Sequence, residues 1–343
     1  MSWVAGRERL CALLGAVTIA FSSILVRLSH ASPSTSAIFR CVYALPVLGL
    51  LAYVEDRQIG RRGWRERRAG LIAGVFFAAD LLLWHHSIGD VGAGLATVLA
   101  NIQVVLVPLV AWVILSEPPG RHVLIALPVS LAGVLLISGA LEHGAYGHDP
   151  ARGTAFGLGA GVAYVGFLLL LRRGGGDLRH RSTAHPRHRD SGDGRSPIHR
   201  VAGPLFDATA VAAVLCVAAG LVIGDADLAP AWPGAGWLIT LALTSQVVGW
   251  LLIGSSLPRL PAALTSVLLT VQPVGSVALA ALIFGESPSG VQLLGVVLIL
   301  AALVAVARLS RPAGIEAAPD WGQEWEPGSG PQDGEAPAEL VRR

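Results

Sequence analysis

The most regular feature of the sequence is a series of long apolar stretches separated by short polar, glycine- or proline-containing segments. A helix that crosses a bilayer needs about 20 mostly apolar residues. We expect helices in these stretches, because a helix satisfies its own backbone hydrogen bonds in lipid. The ten predicted spans are 10–28, 35–54, 69–88, 92–115, 122–140, 152–171, 204–223, 235–257, 260–284 and 290–308. The pattern therefore predicts an all-α, polytopic membrane protein.

The pattern occurs twice, at a distance of 169 residues. This shift places Gln103 on Gln272 and Glu117 on Glu286, and residues 80–136 align with their copies without a gap. An internal repeat indicates a duplicated structural unit, and in a membrane chain it is typical of secondary transporters. Each unit would contain five spans. The predicted units are residues 8–141 and residues 142–171 together with 204–309.

The charged residues support the membrane assignment and indicate an orientation. Only 14% of the residues are charged and 53% are hydrophobic, whereas soluble domains average about 25% charged residues. All 25 basic residues are arginines, and 22 of them fall on one side of the predicted spans. Because arginine-rich loops stay in the cytoplasm, both termini and the even-numbered loops are predicted to be cytoplasmic. The first span is expected to remain uncleaved, since no signal-peptide cleavage pattern is evident.

The charge pattern also predicts that the two units have opposite orientations. Five spans are an odd number, so the second unit must enter the membrane inverted. Aligned loops then lie on opposite sides and should differ in charge. Asp90, in the predicted outer loop before span four, aligns with Arg259 in the inner loop before span nine. The sequence thus predicts ten transmembrane helices in two inverted five-helix repeats.

Two segments outside the spans lack periodic apolar residues. Residues 172–203 are rich in Gly, Arg, Ser, Pro and His and are predicted to form a disordered cytoplasmic linker. Residues 310–343 carry seven acidic residues and are predicted to form a disordered, acidic cytoplasmic tail. The linker histidines lack regular ligand spacing, so no metal site is expected. Cys11, Cys41 and Cys216 lie in predicted spans and are interpreted as packing residues.

Several short motifs resemble those of the EamA-type branch of the drug/metabolite transporter superfamily. An apolar helix that ends in Glu, followed by Ser or Pro and a second apolar helix, occurs at residues 115–119 and 284–288. Phe39-Arg40 in span two, Val-Gln-Pro-Val at 271–274 and Gln-Leu-Leu-Gly at 292–295 are further similarities. The resemblance covers the chain apart from the linker and tail. It implies a permease of ten helices in two inverted repeats that moves small organic metabolites by alternating access.

Ionisable residues inside the apolar spans are costly and therefore mark candidate sites. Arg40 lies in span two and Asp80 lies mid-way along span three. Each is a candidate substrate contact, with a structural ion pair as the alternative. Trp84 shares a helical face with Asp80 and is a candidate contact for an aromatic or cationic solute or an interfacial anchor. Asp80 and His85 are the candidate residues for proton coupling.

Neutral amides can bind a solute without a buried charge. Gln103 and Gln272 occupy equivalent positions in the two units, and Asn101 and Gln246 add hydrogen-bonding capacity. Trp250 lies one helical turn beyond Gln246 on the same face. These five residues are candidate substrate contacts. The alternative for the amides is hydrogen bonding between helices, worth about 0.6 kcal/mol each.

Two further sets of residues are interpreted as structural. Glu117 and Glu286 each precede a helix that begins at proline, where a carboxylate suits the positive end of the helix. Gly153, Gly157 and Gly161 are spaced four residues apart along span six, and this spacing is typical of close helix packing.

The sequence therefore predicts a secondary active transporter of small organic metabolites or drugs, with export favoured and proton coupling as one option. Its expected partners are the lipid bilayer and a small-molecule substrate; a homodimer is left open. The expected location is the plasma (cytoplasmic) membrane. A membrane-embedded sensor or scaffold that uses the linker and tail is the first alternative. An intramembrane enzyme is the second, but no nucleophile with a base, metal motif or phosphate-binding loop is evident. No catalytic residue, cofactor, metal or nucleic-acid partner is predicted.

Overall fold

Every regular element is a helix in the part of the chain that the computed structural model describes, namely residues 2–115, 121–139, 141, 144–174, 200–256 and 271–309. In chain order, the helices are α1 (Ser2–Ala20), α2 (Ser22–Ser29), α3 (Pro33–Ile59), α4 (Trp64–Val91), α5 (Ala93–Ala100), α6 (Gln103–Leu115), α7 (Arg121–Ile137), α8 (Pro150–Gly174), α9 (Ala202–Ile223), α10 (Gly234–Leu241), a π-helix (Ala242–Gly249), α11 (Trp250–Ser256), α12 (Val271–Phe284) and α13 (Gly290–Leu309).

Six helical segments are long and apolar enough to cross a membrane: Leu10–Ser29, Pro33–Gln58, Trp64–Val91, Pro150–Leu171, Ala202–Ile223 and Gly234–Ser255. Shorter apolar helices are Ala93–Leu106, Arg121–Ile137, Val271–Phe284 and Gly290–Val306. The all-α, polytopic character expected from the sequence is thereby confirmed. Glu117, Arg259, most of the linker and the tail lie outside the described residues.

Two of the apolar stretches are not continuous α-helices. Between α5 and α6, the amides of Ile102 and Val104 bond to carbonyls only three residues back, at 3.2 and 3.1 Å, so the chain forms a tight 3₁₀-type turn. Asn101 stabilises this turn, since its Nδ2 donates to the Thr97 carbonyl at 2.8 Å. The second irregularity is the π-helix Ala242–Gly249. Hydropathy reveals neither, because both segments remain apolar.

The junction between α4 and α5 corrects the expected position of Asp90. Instead of lying in an outer loop, Asp90 is buried in the last turn of α4, where its carboxylate accepts two hydrogen bonds from Arg152, at 2.6 and 2.9 Å. Only Gly92 separates the two helices. Its φ of +87° is readily accessible to glycine and not to other residues. A single residue therefore replaces the predicted loop.

Helix α8 packs closely along α4 and α5. A Cβ added to Gly153 would lie 2.6 Å from Val91 Cγ1, and one added to Gly157 would lie 2.7 Å from Leu99 Cβ. At Gly161, the same atom would lie 2.8 Å from Ile102 Cγ2. Real Cβ atoms do not approach other atoms this closely, so the spacing of the three glycines sets the distance between these helices.

An ion-pair cluster joins the turn between α3 and α4 to the start of α9, at the predicted cytoplasmic end. Arg62 Nη1 donates to Asp207 Oδ2 at 2.5 Å, and the Arg62 side chain is only 2% exposed. Glu55 accepts hydrogen bonds from the backbone amides of Val201 and Gly203, at 2.8 and 2.7 Å. A carboxylate suits the positive N-terminal end of a helix, so Glu55 fixes the position at which α9 begins.

Candidate functional site

A cavity of about 70 Å³, here called the central cavity, lies between the packed helices. Seven of the eight residues predicted from the sequence to contact a substrate line this central cavity: Arg40, Asp80, Trp84, Asn101, Gln103, Trp250 and Gln272. These residues come from α3, α4, α6, α11 and α12, together with the turn at Asn101. Residues that are distant in sequence therefore form one polar site in an apolar protein.

The eighth residue, Gln246, lies behind Arg40 and holds it in place. Arg40 Nε donates to Gln246 Oε1 at 3.0 Å, and Gln246 Nε2 in turn donates to Thr209 Oγ1 at 3.2 Å. The Arg40 guanidinium carbon also lies 5.6 Å from the ring centroid of Trp84, a cation–π distance. Gln246 belongs to the π-helix, an element that is frequent at functional sites. Arg40 is thus a buried cation in a fixed orientation.

Asp80 faces the same cavity as Arg40 without contacting it directly. Within the described residues, no hydrogen bond or ion pair within 4.0 Å satisfies the Asp80 carboxylate. Asp80 is only 7% exposed. Opposite charges attract across several ångströms in a medium of low dielectric constant, so Arg40 offsets part of the cost of burying Asp80. Both charged groups remain available to a solute in the cavity.

The amide side chains also leave hydrogen-bonding capacity unused. Gln103 Oε1 is buried without a hydrogen-bond partner of good geometry among the described residues. Gln272 lines the same cavity. In contrast, Asn101 Nδ2 is used within its own helix by the bond to Thr97 O. A polar solute would satisfy Gln103, because an unpaired buried polar atom is unfavourable.

Tyr164 in α8 is a cavity residue that the sequence interpretation missed. Its hydroxyl interacts with Gln103, and its ring centroid lies 5.9 Å from that of Trp250. Glycine spacing drew attention to span six as a packing surface. The feature that could have identified Tyr164 was its position in the middle of an apolar span, since a buried tyrosine hydroxyl usually finds a polar partner.

His85 does not line the central cavity. Its Nδ1 lies 2.5 Å from the carbonyl oxygen of Leu81, and the side chain lines a second cavity. Its ring packs edge-on against Trp84, with 5.1 Å between the centroids. His85 is therefore a neighbour of the central site, separated from it by Trp84.

Glu286 has a different helical partner from the one expected. Its carboxylate accepts hydrogen bonds from the amides of Ala93 and Gly94, at 2.8 and 3.2 Å, and forms an ion pair with Arg27. It therefore caps α5, whereas the sequence placed it at the start of the helix that follows it. The reason is geometric: Gly92 lacks a side chain, and a Cβ there would lie 2.7 Å from Glu286 Oε2.

The apolar helices, with a polar cavity among them, define a polytopic membrane protein. The EamA-like transporter family matches residues 7–139 and 204–308, and the chain belongs to this family. One solved structure, described as "Crystal structure of protein", aligns with a TM-score of 0.55 at 16% sequence identity, over 88% of this chain and 98% of its own. That likeness concerns the fold alone. No curated protein matches the sequence.

Proposed function

We propose that the protein is a secondary active transporter of small organic solutes that bind in the central cavity. The observation that carries this proposal is the presence of Arg40, Asp80 and the unpaired Gln103 Oε1 atom at one cavity. Charged residues deep in a membrane protein usually mark a transport path. Membership of the EamA-like transporter family supports the same function.

The proposed topology is ten spans in two inverted repeats, formed by residues 8–141 and by residues 142–171 with 204–309. Both termini are then cytoplasmic. The six long segments and the shorter apolar helices are compatible with this arrangement. The repeat-equivalent residues Gln103 and Gln272 line one cavity, as expected for a substrate site at the interface of two repeats.

The preferred solute class is a zwitterion with an apolar or aromatic part. Arg40 suits a carboxylate, and the Asp80 carboxylate suits an ammonium group. The rings of Trp84, Trp250 and Tyr164 supply apolar surface around these charges. Export is the proposed direction, and proton coupling through Asp80 is part of the proposal, because no described residue forms a hydrogen bond or ion pair with its carboxylate.

Transport by the purified protein in proteoliposomes tests this function. Radiolabelled amino acids and a panel of amine-containing drugs would be offered with and without a pH gradient. We expect at least one zwitterion to cross faster than in empty vesicles and to accumulate further when the gradient is imposed. If the whole panel crosses at the rate of empty vesicles, the transporter proposal is overturned. Transport that is independent of the gradient would remove only the proton-coupling part.

A further inference from the structure

A second cavity, of about 520 Å³, lies at the predicted outer end of the protein. Its lining includes Arg27, His30, His85, Gly92 and His148. His30 and His148 are exposed, whereas His85 is only 1% exposed. This outer cavity is thus open at its rim and ends at a buried imidazole.

His85 gives the outer cavity an unsatisfied hydrogen-bond acceptor. Its Nδ1 must carry the proton, because the Leu81 carbonyl to which it bonds can only accept. The other ring nitrogen, Nε2, is buried and has no hydrogen-bond partner among the described residues. A buried ring without an anionic partner is neutral, so Nε2 is an acceptor. An N–H or O–H group of a ligand would satisfy it.

The fixed charges around the outer cavity are already compensated. Asp90 is held by Arg152 through two hydrogen bonds, and Arg27 is paired with Glu286. The Arg27 guanidinium also lies 4.5 Å from the ring centroid of Phe284. Among the described residues that line the outer cavity, the buried polar atom without a hydrogen-bond partner is therefore a neutral acceptor, which favours a solute with an amino or hydroxyl group.

The outer and central cavities are separated by about one helical turn. On α2, Ser22 lines the central cavity and Val26 lines the outer one. On α4, the adjacent residues Trp84 and His85 line the central and outer cavities, respectively. Four residues along a helix correspond to about 6 Å, so the wall between the cavities is thin.

A hydrogen-bonded cluster of Ser23, Thr97 and Ser276 joins α2, α5 and α12 beside the central cavity, which Thr97 and the neighbouring Ser22 line. Ser276 Oγ lies 2.6 Å from Ser23 Oγ and 3.0 Å from Thr97 Oγ1. The three residues are at most 6% exposed. We call this cluster the serine septum. Nearer the outer end, Glu286 joins Arg27 on α2 to the N-terminus of α5, so it holds two of the same three helices together.

We propose that the outer cavity is a second solute site on the transport path, and that the serine septum, held closed by the Arg27–Glu286 pair, is the barrier between it and the central cavity. The outer site takes the amino or hydroxyl group of a solute at His85 Nε2. This inference rests on the proposed transport function, but its geometry is testable without transport.

Cysteine accessibility measures the barrier directly. In the full-length protein with Cys11, Cys41 and Cys216 replaced by alanine, His30→Cys places a thiol in the outer cavity and Asn101→Cys places one in the central cavity. A membrane-impermeant methanethiosulfonate is added outside spheroplasts. We expect the position-30 thiol to react at least tenfold faster than the position-101 thiol. Equal rates would overturn the barrier.

Opening the barrier should expose the central thiol. Ser276→Ala and Glu286→Gln are each expected to raise the rate at position 101 at least fivefold without changing the rate at position 30. Asp149→Asn, a change at an outer residue away from the septum, is the matched control and should alter neither rate. If both septum variants leave the rate at position 101 unchanged, the serine septum is not the barrier. Two variants, one within α12 and one in the segment that follows it, guard against one of them misfolding.

Protection by a small probe tests the outer site itself. Ethanolamine carries both kinds of donor, and acetate at neutral pH carries none. We expect ethanolamine to slow modification of the position-30 thiol at least twofold, acetate to have no effect, and His85→Leu to abolish the protection. Protection by acetate, or protection that persists in His85→Leu, would overturn the assignment. If the thiols react at the expected rates but the protein transports no solute, the proposed transport function is contradicted. The assignment of the serine septum as a barrier would still stand.

Discussion

At the scale of single residues, the candidate site consists of side chains whose chemistry was visible in the sequence but whose partners were not. The cost of a charge in lipid singled out Arg40 and Asp80, and both line the central cavity. The sequence could not show that Gln246 orients Arg40 or that Glu286 caps α5, because these contacts join residues 206 and 193 positions apart. Long-range polar contacts depend on helix packing, which residue type alone does not determine.

Asp80→Asn tests the proposed coupling residue. Asparagine has nearly the same shape as aspartate and cannot exchange a proton, so accumulation driven by a pH gradient should be abolished. Solute exchange at equilibrium should be retained within about threefold, because the cavity keeps its shape. Both rates are measurable in the same proteoliposomes. Concentrative transport at the parental rate would exclude Asp80 from coupling.

Gln246→Leu tests the support of Arg40. The variant removes the acceptor of the Arg40 Nε hydrogen bond, and an unsatisfied buried donor costs about 1–3 kcal/mol. We expect the apparent KM for the transported solute to rise about tenfold, since Arg40 is no longer held toward the cavity. Thr244→Val is a control in the same π-helix, because the Thr244 hydroxyl is exposed and bonds only to the Thr240 carbonyl. Equal KM values for the two variants would contradict this role of Gln246.

At the scale of helices, the apolar pattern predicted where helices occur and missed where they are interrupted. A turn of 3₁₀ type at Ile102 and a π-helix at Ala242–Gly249 leave hydropathy unchanged while altering backbone hydrogen bonding. Both irregularities lie beside the central cavity, where Asn101 and Gln246 are located. The glycine spacing of α8, in contrast, is a local pattern, and it predicted a packing surface without reference to distant residues.

Gly157→Ala tests the packing of α8 on α5. The added methyl group would lie 2.7 Å from Leu99 Cβ, and overpacking typically costs about 1–3 kcal/mol. The thermal unfolding temperature in detergent should therefore fall. Gly89→Ala is the matched control, because a Cβ at this helical glycine has no neighbouring atom within 4 Å, and its unfolding temperature should stay the same or rise. A Gly157→Ala protein as stable as the parent would show that the helices can separate at no cost.

At the scale of the whole molecule, sequence periodicity predicted the polytopic helical class and the family match covers both halves of the chain. The charge rule could not place Asp90, since it assumes that an acidic residue near the end of a span is in a loop. In the structure, the exposed Arg152 pairs with Asp90, which is buried in the last turn of α4. The charge pattern therefore does not determine the boundaries of individual helices.

The Arg62–Asp207 pair is expected to be essential for assembling α9 with the first helices. Arg62→Gln leaves Asp207 buried without its cation, and breaking a buried pair costs about 3–5 kcal/mol. We expect a large decrease in thermal stability and in the yield of monodisperse protein. Arg65→Gln, at an exposed position on the same segment, should leave both unchanged. Similar stability of the two variants would contradict a structural role for the cluster.

Replacing residues 175–199 with a Gly/Ser segment of equal length separates the transporter from the scaffold alternative. The replacement preserves Arg200, which donates to Asp56 and to the Gly60 carbonyl. Transport should remain within about twofold of the parental rate, because the replacement keeps all of the described residues that line the central cavity. A truncation after Arg311 is expected to behave in the same way. Loss of transport in either protein would show that these segments take part in function.

The one-residue junction at Gly92 has a mechanical consequence for any alternating-access cycle. Asp90, two residues before it, is bonded to α8 through Arg152, while the amides of Ala93 and Gly94, immediately after it, are bonded to Glu286. The outer halves of α4 and α8 therefore form one lever, and the backbone passes from that lever to α5 through a single flexible residue. Releasing the Glu286 carboxylate would allow α5 to swing about Gly92 while α4 and α8 stay together.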